Sequence, residues 1–348
     1  CAATLALFTP SCGLTQSFSS VFLGIDMSSA DSERLIRHLM RADPALRRVF
    51  EEDAVKLDKN WHAHIWDGVT LAFGFMLLAI GLDPRPGMAL MHGLAATRFE
   101  MKGDVFQAPW NPSGQRGTIE CNSVCMSLGE RYAYYRERMP QATALAAQWP
   151  GYPSQLRPGF VFDSPLASFR RDCALATFGD DALKTLRDPN ATVDTSVWAR
   201  EYGIRLTDAQ TKLETVAPRP ITQVSFLKRT PRWEERLGRY LWAIDRKSIV
   251  KMVTTGGDTT LSIYDQQSIG MSNALREAVL HGQAFYDELL AMVRAAAQAE
   301  SLTTNPYLQV HSYEYRFSQL QDGSFSVWEE PPGQVDTPSA QLAHSTFQ

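Results

Sequence analysis

The chain has 348 residues, of which 44% are hydrophobic, and a formal net charge of −4 at pH 7. This length and apolar content allow two or three compact units, and the weakly acidic balance argues against a protein that binds nucleic acid by bulk charge alone. The longest apolar run, Val69 to Leu82, is shorter than the roughly 20 residues that a membrane span requires, so we expect a buried helix there. The five cysteines show neither a metal-ligand nor a disulfide spacing, which indicates packing residues of a reducing compartment.

Two aspartates near the start of the chain are the first functional candidates. The apolar run Val21 to Ile25 predicts a strand that ends at Asp26, and Asp31 follows five positions later, before a helical pattern. A carboxylate is favoured at a helix N-terminus, so Asp31 is explained equally well as a simple cap. The functional alternative is that Asp26 shares a metal pair with Asp180 and that Asp31 points into the same cleft.

A glycine-rich loop then leads into a long helix. Residues 32–108 are predicted to be mostly helical, and residues 113–136 are predicted to form a loop and a helix. Thr118 and Asn122 lie four positions apart and therefore share one helix face. Their hydroxyl and amide groups suit recognition of another hydroxyl group. A capped helix after a flexible loop explains the segment equally well.

Residues 174–181, with the sequence Ala-Leu-Ala-Thr-Phe-Gly-Asp-Asp, are the most informative stretch. The apolar run predicts a strand, and Gly179 permits a tight turn, so we expect a β-hairpin with Asp180 and Asp181 at its tip. Two neighbouring carboxylates repel each other unless a cation neutralises them, and Mg²⁺ prefers such oxygen ligands. An ordinary Gly-Asp turn between strands is the alternative.

The second half of the chain contains a basic β-rich run and helical patterns. Residues 193–205 predict a helix that leads into a short strand, and residues 221–229 predict a strand ending in Lys228 and Arg229. Two cations at that position suit approach to a phosphate backbone, although charge also guards ordinary edge strands. Helices are predicted over 233–244 and 271–297, and the segment 318–348 is polar and typical of a loosely ordered tail.

Taken in order, these elements resemble motifs A to E of viral RNA-dependent RNA polymerases, and most of all the picornavirus-like group. The motifs that carry the resemblance are Asp26-x₄-Asp31, Ser113-Gly114-x₃-Thr118-x₃-Asn122, Phe178-Gly179-Asp180-Asp181, Lys212 and Phe226-Leu227-Lys228-Arg229. The resemblance spans residues 20–230, and a weaker likeness to the thumb of that group covers residues 273–286. Lys212 sits one position away from the family's motif D pattern.

The resemblance implies an α+β fold, namely a right-hand polymerase palm with an antiparallel sheet flanked by helices, a helical thumb, and fingers largely missing. The domains expected from it are the end of the fingers over 1–20, a palm over 21–230 with finger-like insertions near 41–108 and 139–168, a thumb over 231–305 and a tail over 306–348. The segment 1–25 has no Lys or Arg, whereas the family's basic motif F normally lies upstream of motif A. We therefore expect the chain to be the palm and thumb of a larger polyprotein or of an incomplete sequence.

The resemblance also implies a reaction and a set of roles. The reaction is template-directed nucleotidyl transfer from ribonucleoside triphosphates onto RNA, with two Mg²⁺ or Mn²⁺ ions as cofactors. Asp26, Asp180 and Asp181 are the expected metal ligands, and Lys212 is the expected general acid. The residues expected to contact the ribose are Asp31, Ser113, Gly114, Thr118 and Asn122. The residues expected to contact the priming strand are Phe226, Leu227, Lys228 and Arg229.

The expected partners are the RNA template and primer strand and other viral replication proteins, at replication complexes in the host-cell cytoplasm. Protein-primed and de novo initiation both stay open, as does a double-stranded-RNA virus lineage. Two other functions also remain. One is a reverse transcriptase or another palm-domain nucleotidyl transferase. The other is a non-catalytic RNA-binding relic or scaffold fragment of a polymerase.

Overall fold

The computed structural model describes residues 20–22, 25–29, 31–96, 98–101, 104–108, 111, 118–147, 165–254 and 261–325. The described helices, numbered in chain order, are α1 Asp31–Met40, α2 Ala63–Ala79, α3 Pro84–Ala95, α4 Thr118–Ala147, α5 Pro165–Asp172, α6 Ser196–Tyr202, α7 Arg246–Thr254, α8 Ile263–Val279, α9 Gln283–Ala299 and α10 Tyr313–Asp322. The described strands are β1 Val49–Ala54, β2 Arg98–Met101, β3 Asp104–Gln107, β4 Cys173–Phe178, β5 Asp181–Leu186, β6 Leu206–Asp208, β7 Arg229–Glu234 and β8 Arg239–Ile244.

Contacts between residues divide the chain into two compact units. The first unit contains residues 1–24 and 37–221, and the second contains residues 25–36 and 222–348. The boundary at 36/37 falls within α1.

The first unit is built on a four-stranded antiparallel sheet in the order β4-β5-β1-β6. β4 and β5 form the predicted hairpin, with Phe178 opposite Asp181. β1 lies between β5 and β6, so that Asp53 is opposite both Asp181 and Thr207. Val21 adds a single parallel bridge to Thr177 of β4. An antiparallel sheet with associated helices confirms the predicted fold class.

The helices of the first unit cover this sheet with apolar side chains. α4 packs against β4 and against α2, and its buried positions include Cys121, Val124 and Cys125. The cysteine thiols are free and buried, as the packing interpretation predicts. α2 buries only one face: Val69 is fully buried, whereas 68% of Phe75 is exposed. None of the helices within the described residues combines the length and apolarity needed to cross a membrane.

The second unit combines the β7–β8 hairpin with α7 to α10. The helices pack around a core that includes Leu275, Tyr286 and Phe317. α8 and α9 are separated by Gly282, whose φ of +94° is a conformation that only glycine adopts readily. The prediction of one continuous helix over 271–297 is therefore wrong, because two separate helices cover this segment.

Three other expectations differ from the structure. Residues 32–108 contain the expected helices, but β1 and the β2–β3 hairpin lie among them, and β1 belongs to the main sheet rather than to an insertion. Residues 233–244 form most of the β7–β8 hairpin rather than a helix. α4 continues past residue 136, the end of the predicted helix, to Ala147.

The tail prediction is also wrong as far as residue 325. α10 lies within residues 306–348 and buries Phe317 and Leu320, and Phe325 after it is only 6% exposed. Apolar residues at this spacing give the segment a buried face, which a loosely ordered tail lacks.

Candidate active site

The β4–β5 hairpin tip is fixed by its own turn and by one buried hydroxyl group. Gly179 has φ +64°, so the turn relies on the conformational freedom of glycine. The Gly179 amide donates a hydrogen bond to Ser123 Oγ of α4 at 2.7 Å, and the Ser123 hydroxyl donates to the Ile119 carbonyl at 2.7 Å. The Ala54 amide donates to the Asp180 carbonyl at 3.1 Å. The tip is thus attached to both α4 and the end of β1.

The two aspartates at this tip carry excess negative charge. Asp180 is exposed and Asp181 is half-buried. Partial burial and the charges of Asp53 and Asp58 raise the pKa of Asp180, although its own backbone amide and Lys212 oppose the shift. Burial and the neighbouring charges of Asp180 and Asp53 raise the pKa of Asp181 to about 7, against the opposing charge of Lys212. The site therefore holds carboxylates that the protein's own cations only partly compensate.

Lys212 lies in the same unit and contacts this acidic group. Its Nζ is 2.6 Å from Asp53 Oδ2. Lys212 has φ +58°, a conformation that a non-glycine residue adopts only when its surroundings impose it. The turn that carries it starts at β6, where the Lys212 amide donates to the Asp208 carbonyl at 2.8 Å.

The turn is organised around the Asp208 carboxylate, which is fully buried. It accepts hydrogen bonds from the amides of Gln210 and Thr211 at 3.0 and 2.9 Å, and Arg219 Nη2 lies 2.7 Å from Oδ2. Burial alone would raise the pKa of Asp208, but these bonds outweigh burial and hold the pKa below its usual value.

Asp26 and Asp31 belong to the second unit and are described within it. Asp26 Oδ1 accepts hydrogen bonds from the amide and the hydroxyl of Ser28 at 2.8 and 2.6 Å. Asp31 begins α1 and forms an ion pair with Arg34 at 3.4 Å, the arrangement of an N-terminal helix residue. The strand expected over 21–25 is represented by the bridge at Val21, and residues 23 and 24 lie outside the described residues. The pairing of Asp26 with Asp180 stays a prediction.

The ribose candidates Thr118 and Asn122 lie on the first turns of α4. Asn122 is 7% exposed, and its side-chain oxygen Oδ1 accepts a hydrogen bond from Asn111 Nδ2 at 2.9 Å. The same Asn111 amide donates to the Thr118 carbonyl at 3.2 Å. Asn111 therefore orients the start of the helix. Ser113 and Gly114 lie outside the described residues.

Leu227 and Lys228 form a two-residue turn at the start of β7, and Phe226 and Arg229 flank it. The amides and carbonyls of Phe226 and Arg229 bond to each other at 2.9 and 3.0 Å. Phe226 is only 1% exposed, and Arg229 forms a two-pronged ion pair with Glu277. These two side chains face protein, so of the four residues predicted to contact RNA only Leu227 and the exposed Lys228 remain candidates.

This turn makes a testable prediction. Leu227 and Lys228 have φ +54° and +61°, the geometry of a type I′ turn that prefers glycine or asparagine. Replacing Lys228 with Gly should stabilise the chain by about 0.5–1 kcal/mol, because it removes the left-handed penalty. It should also weaken primer–template RNA binding several-fold. The slope of log affinity against log salt concentration should fall by about one, because one cation is lost.

Urea unfolding and fluorescence anisotropy would measure the two effects of Lys228→Gly. Lys251→Gln, which removes an exposed lysine from α7, is the control that should leave RNA affinity unchanged. Unchanged affinity in Lys228→Gly would show that the turn does not contact RNA.

The chemistry of the tip fits a hard divalent cation. Mg²⁺ is usually held by one or two carboxylates together with substrate phosphates, and Asp180 and Asp181 supply two adjacent carboxylates with raised pKa values. Across the described part of the chain, no group of three or more His, Cys, Asp or Glu side chains converges on a metal position.

The raised pKa of Asp181 predicts a pH-dependent effect of Asp181→Asn in EDTA. The carboxyl ionises near pH 4 in the unfolded chain and near pH 7 in the folded chain, so the folded state binds the extra proton between these values. Stability that depends on this proton is lost as pH rises from about 4 to 7. The variant lacks this loss, and its advantage over the wild type should grow to about 1–2 kcal/mol at pH 8 after solvent screening.

Thermal unfolding at pH 5 and pH 8 would measure this effect. A widening difference of a few degrees between variant and wild type is expected at the higher pH. A constant difference would mean that Asp181 keeps an ordinary carboxyl pKa.

A second charged cluster lies buried behind the hairpin. Lys184 Nζ of β5 is 2.9 Å from Glu52 Oε1 of β1 and 2.5 Å from Glu130 Oε2 of α4. Trp198 Nε1 donates to Glu130 Oε1 at 3.2 Å. Burial and the charge of Glu130 raise the pKa of Glu52. Burial lowers the pKa of Lys184, but the two carboxylates outweigh this and raise it, so the ammonium stays charged.

Sequence reasoning missed three residues of the site: Ser123, Asp53 and Asn111. Ser123 directly follows Asn122, but only the folded helix brings its hydroxyl to the hairpin tip. Asp53 is one of three consecutive acids, and nothing local to that run distinguishes it. Asn111 precedes the glycine-rich loop, where an amide is equally typical of a turn.

The sequence and the fold of the chain are similar to those of known viral proteins. The family described as "Viral RNA-dependent RNA polymerase" matches residues 1–298. The RNA1 polyprotein of Cherry rasp leaf virus (isolate Potato/United States) is 29% identical over 226 residues, which are 62% of this chain and 9% of the polyprotein. A solved Sicinivirus 3Dpol RNA dependent RNA polymerase has a TM-score of 0.62 at 14% identity, covering 88% of this chain and 57% of the solved chain. The chain thus spans a small part of the polyprotein and just over half of the solved polymerase.

Proposed function

Because the chain belongs to the family of viral RNA-dependent RNA polymerases, we propose that it extends an RNA primer strand on an RNA template from ribonucleoside triphosphates. The observation that carries the proposal is the pair of carboxylates with raised pKa values at the hairpin tip, together with Lys212, whose ion-pair partner Asp53 lies opposite Asp181. Family membership alone gives the reaction class, whereas this geometry supports our choice of the residues that perform it.

Each residue has a distinct role in the proposed reaction. Asp26 and Asp180 bind the metal ions, and Asp181 tunes Asp180 or serves as a secondary ligand. When bound, the two ions activate the primer 3′-hydroxyl and neutralise charge on the triphosphate. Lys212 donates a proton to the leaving pyrophosphate, a role worth about 10²–10⁴-fold in rate.

Other residues of the proposed site select the nucleotide sugar and bind the RNA strand. Asp31, Thr118 and Asn122, together with Ser113 and Gly114, contact the ribose 2′-hydroxyl, which both donates and accepts hydrogen bonds. The anchoring of Asn122 by Asn111 supports this role, because an oriented amide discriminates better than a free one. Leu227 and Lys228 contact the priming strand.

We place this activity in the host-cell cytoplasm, at viral replication complexes, together with other viral replication proteins. The likeness to a viral polyprotein supports such partners in general.

Primer extension on an RNA template with Mg²⁺ or Mn²⁺ tests the proposal. Ribonucleotide addition by the wild-type chain and none by Asp180→Asn is the expected result. Equal use of deoxynucleotides would favour the reverse transcriptase alternative. A chain that neither extends RNA nor gains thermal stability from Mn²⁺ would favour the non-catalytic relic.

A further inference from the structure

A cavity of about 270 Å³ lies among α2, α4 and α6 of the first unit. Its walls include Ile65, Val69, Leu128, Tyr132, Trp198 and Tyr202. None of the described residues that we assign to the polymerase site lines it. On α4 the cavity begins beyond Ser123, which holds the hairpin tip, so the proposed reaction leaves this space without a role.

One wall of the cavity consists of aromatic rings in fixed positions. The Trp198 indole lies so close to Gly129 of α4 that any Cβ atom there would collide with it, and its Nε1 donates to Glu130 at 3.2 Å. The Tyr202 ring meets the rings of Trp198 and Tyr132 edge to face, with centroid distances of 5.9 and 5.5 Å. Aromatic rings prefer this arrangement, so the wall is suited to receive the edge or face of a further ring.

The wall on α2 is kept open by a glycine. A Cβ atom added at Gly68 would meet no other atom within 4 Å, so the packing of neighbouring side chains does not require glycine there. Glycine inside a helix is less favourable than alanine. At Gly68 the missing side chain widens the cavity.

The lining of the cavity is apolar apart from a few uncharged polar groups. Among the residues that the structure describes, no Asp, Glu, Lys or Arg side chain lines it, and His64 lies with 93% of its side chain exposed. Burial and the nearby ionisable groups of Tyr132 and Glu201 raise the pKa of Tyr202 to about 12, so its hydroxyl keeps its proton at neutral pH. This hydroxyl forms no hydrogen bond to the described part of the chain and is available as a donor.

We propose that this cavity binds a small, uncharged aromatic molecule of one or two fused rings that carries a hydrogen-bond acceptor. A dry cavity of about 150 Å³ holds a benzene ring, so a cavity of about 270 Å³ has room for two fused rings. An ion would lose its hydration against this lining without gaining a charged partner, which disfavours charged ligands. The rings of α6 contact the ligand edge to face, and the Tyr202 hydroxyl donates to its acceptor atom.

Calorimetric titration of the full chain with 2-naphthol at pH 7 tests the proposal. This probe is uncharged at that pH, has two fused rings and carries an oxygen that accepts a hydrogen bond. We expect saturable binding of one molecule per chain. Naphthalene-2-sulfonate, which has the same rings and a negative charge, should bind at least about tenfold more weakly.

Three variants locate the bound probe. Gly68→Leu should raise Kd about tenfold or more, because the new side chain occupies the cavity. Gly93→Leu is the matched control, because Gly93 is a helical glycine of α3 that does not line the cavity, and a Cβ atom added there also meets no atom within 4 Å. It should leave Kd within about twofold. Tyr202→Phe should raise Kd about two- to tenfold through loss of one hydrogen bond, and thermal unfolding without the probe checks that each variant is folded.

Other outcomes overturn the proposal. No saturable binding to the wild-type chain would show that the cavity takes no aromatic molecule of this size. Equal affinity for naphthalene-2-sulfonate would show that the site does not select uncharged ligands. Unchanged affinity in Gly68→Leu, or an equal loss in Gly93→Leu, would place the probe elsewhere, for example on the exposed Phe75 of α2. Unchanged affinity in Tyr202→Phe would remove the hydrogen-bond acceptor from the proposed ligand class.

Discussion

Asp180→Asn should reduce RNA synthesis by a factor on the order of 10³ or more while leaving the chain folded. The change removes the exposed carboxylate of the hairpin tip, where a divalent cation would stabilise charge that develops in the transition state. The turn itself depends on Gly179, on Ser123 and on the Asp180 backbone carbonyl, and the substitution retains all three. It also removes one of the repelling charges that raise the pKa of Asp181.

Two measurements separate loss of chemistry from loss of fold. Primer extension should disappear in Asp180→Asn, whereas metal-free thermal unfolding should be unchanged or shifted slightly upward. The Mn²⁺-dependent increase in unfolding temperature should shrink in the variant. Asp67→Asn, a substitution of the same chemistry on α2, should change none of these. Wild-type elongation by Asp180→Asn would show that the catalytic hairpin is wrongly assigned.

Lys184→Met should cost about 3–5 kcal/mol of stability, because it leaves the buried carboxyl groups of Glu52 and Glu130 without their shared cation. For a unit of this size, such a loss lowers the unfolding temperature by about 10 °C. Lys184 lies on β5 three residues after Asp181, so we also expect the variant to lose activity as the hairpin loosens.

The matched control is a triple variant. Lys184→Met combined with Glu52→Gln and Glu130→Gln removes the cation and both charges together, and it should recover most of the lost stability. Lys59→Met, at an exposed position, should unfold within about 1 °C of the wild type. A single Lys184→Met variant as stable as the wild type would mean that the carboxyl groups take up protons at no cost.

The hairpin and the long helix were predictable because their signals are local. An apolar run followed by Gly-Asp-Asp specifies a strand and a turn within eight residues. The family resemblance then supplied the order of the motifs, and the antiparallel sheet confirmed the fold class that it implied.

Non-local partners explain what the sequence analysis missed. β1 has the sequence Val-Phe-Glu-Glu-Asp-Ala, whose three adjacent acids suit neither a buried strand nor strict alternation. Burial of Glu52 becomes understandable only with Lys184, which follows far along the chain. The β7–β8 hairpin was predicted as a helix because a short apolar run such as 239–244 fits either element. Pro231 is tolerated in β7 because a two-stranded sheet consists of edge strands.

The charge pattern of β1 also restricts how the chain can misfold. Successive residues of a strand point to opposite faces, so Glu52 meets Lys184 while its neighbour Asp53 meets Lys212. A slip of one residue against β5 would exchange the two faces. The slip would turn Glu52 toward the open face and turn Asp53 away from Lys212 toward the inside, where Glu51 and Asp53 would both lie on the face of one buried ammonium. The additional buried carboxylate would be costly, so the charges of β1 discriminate against a shifted strand pairing.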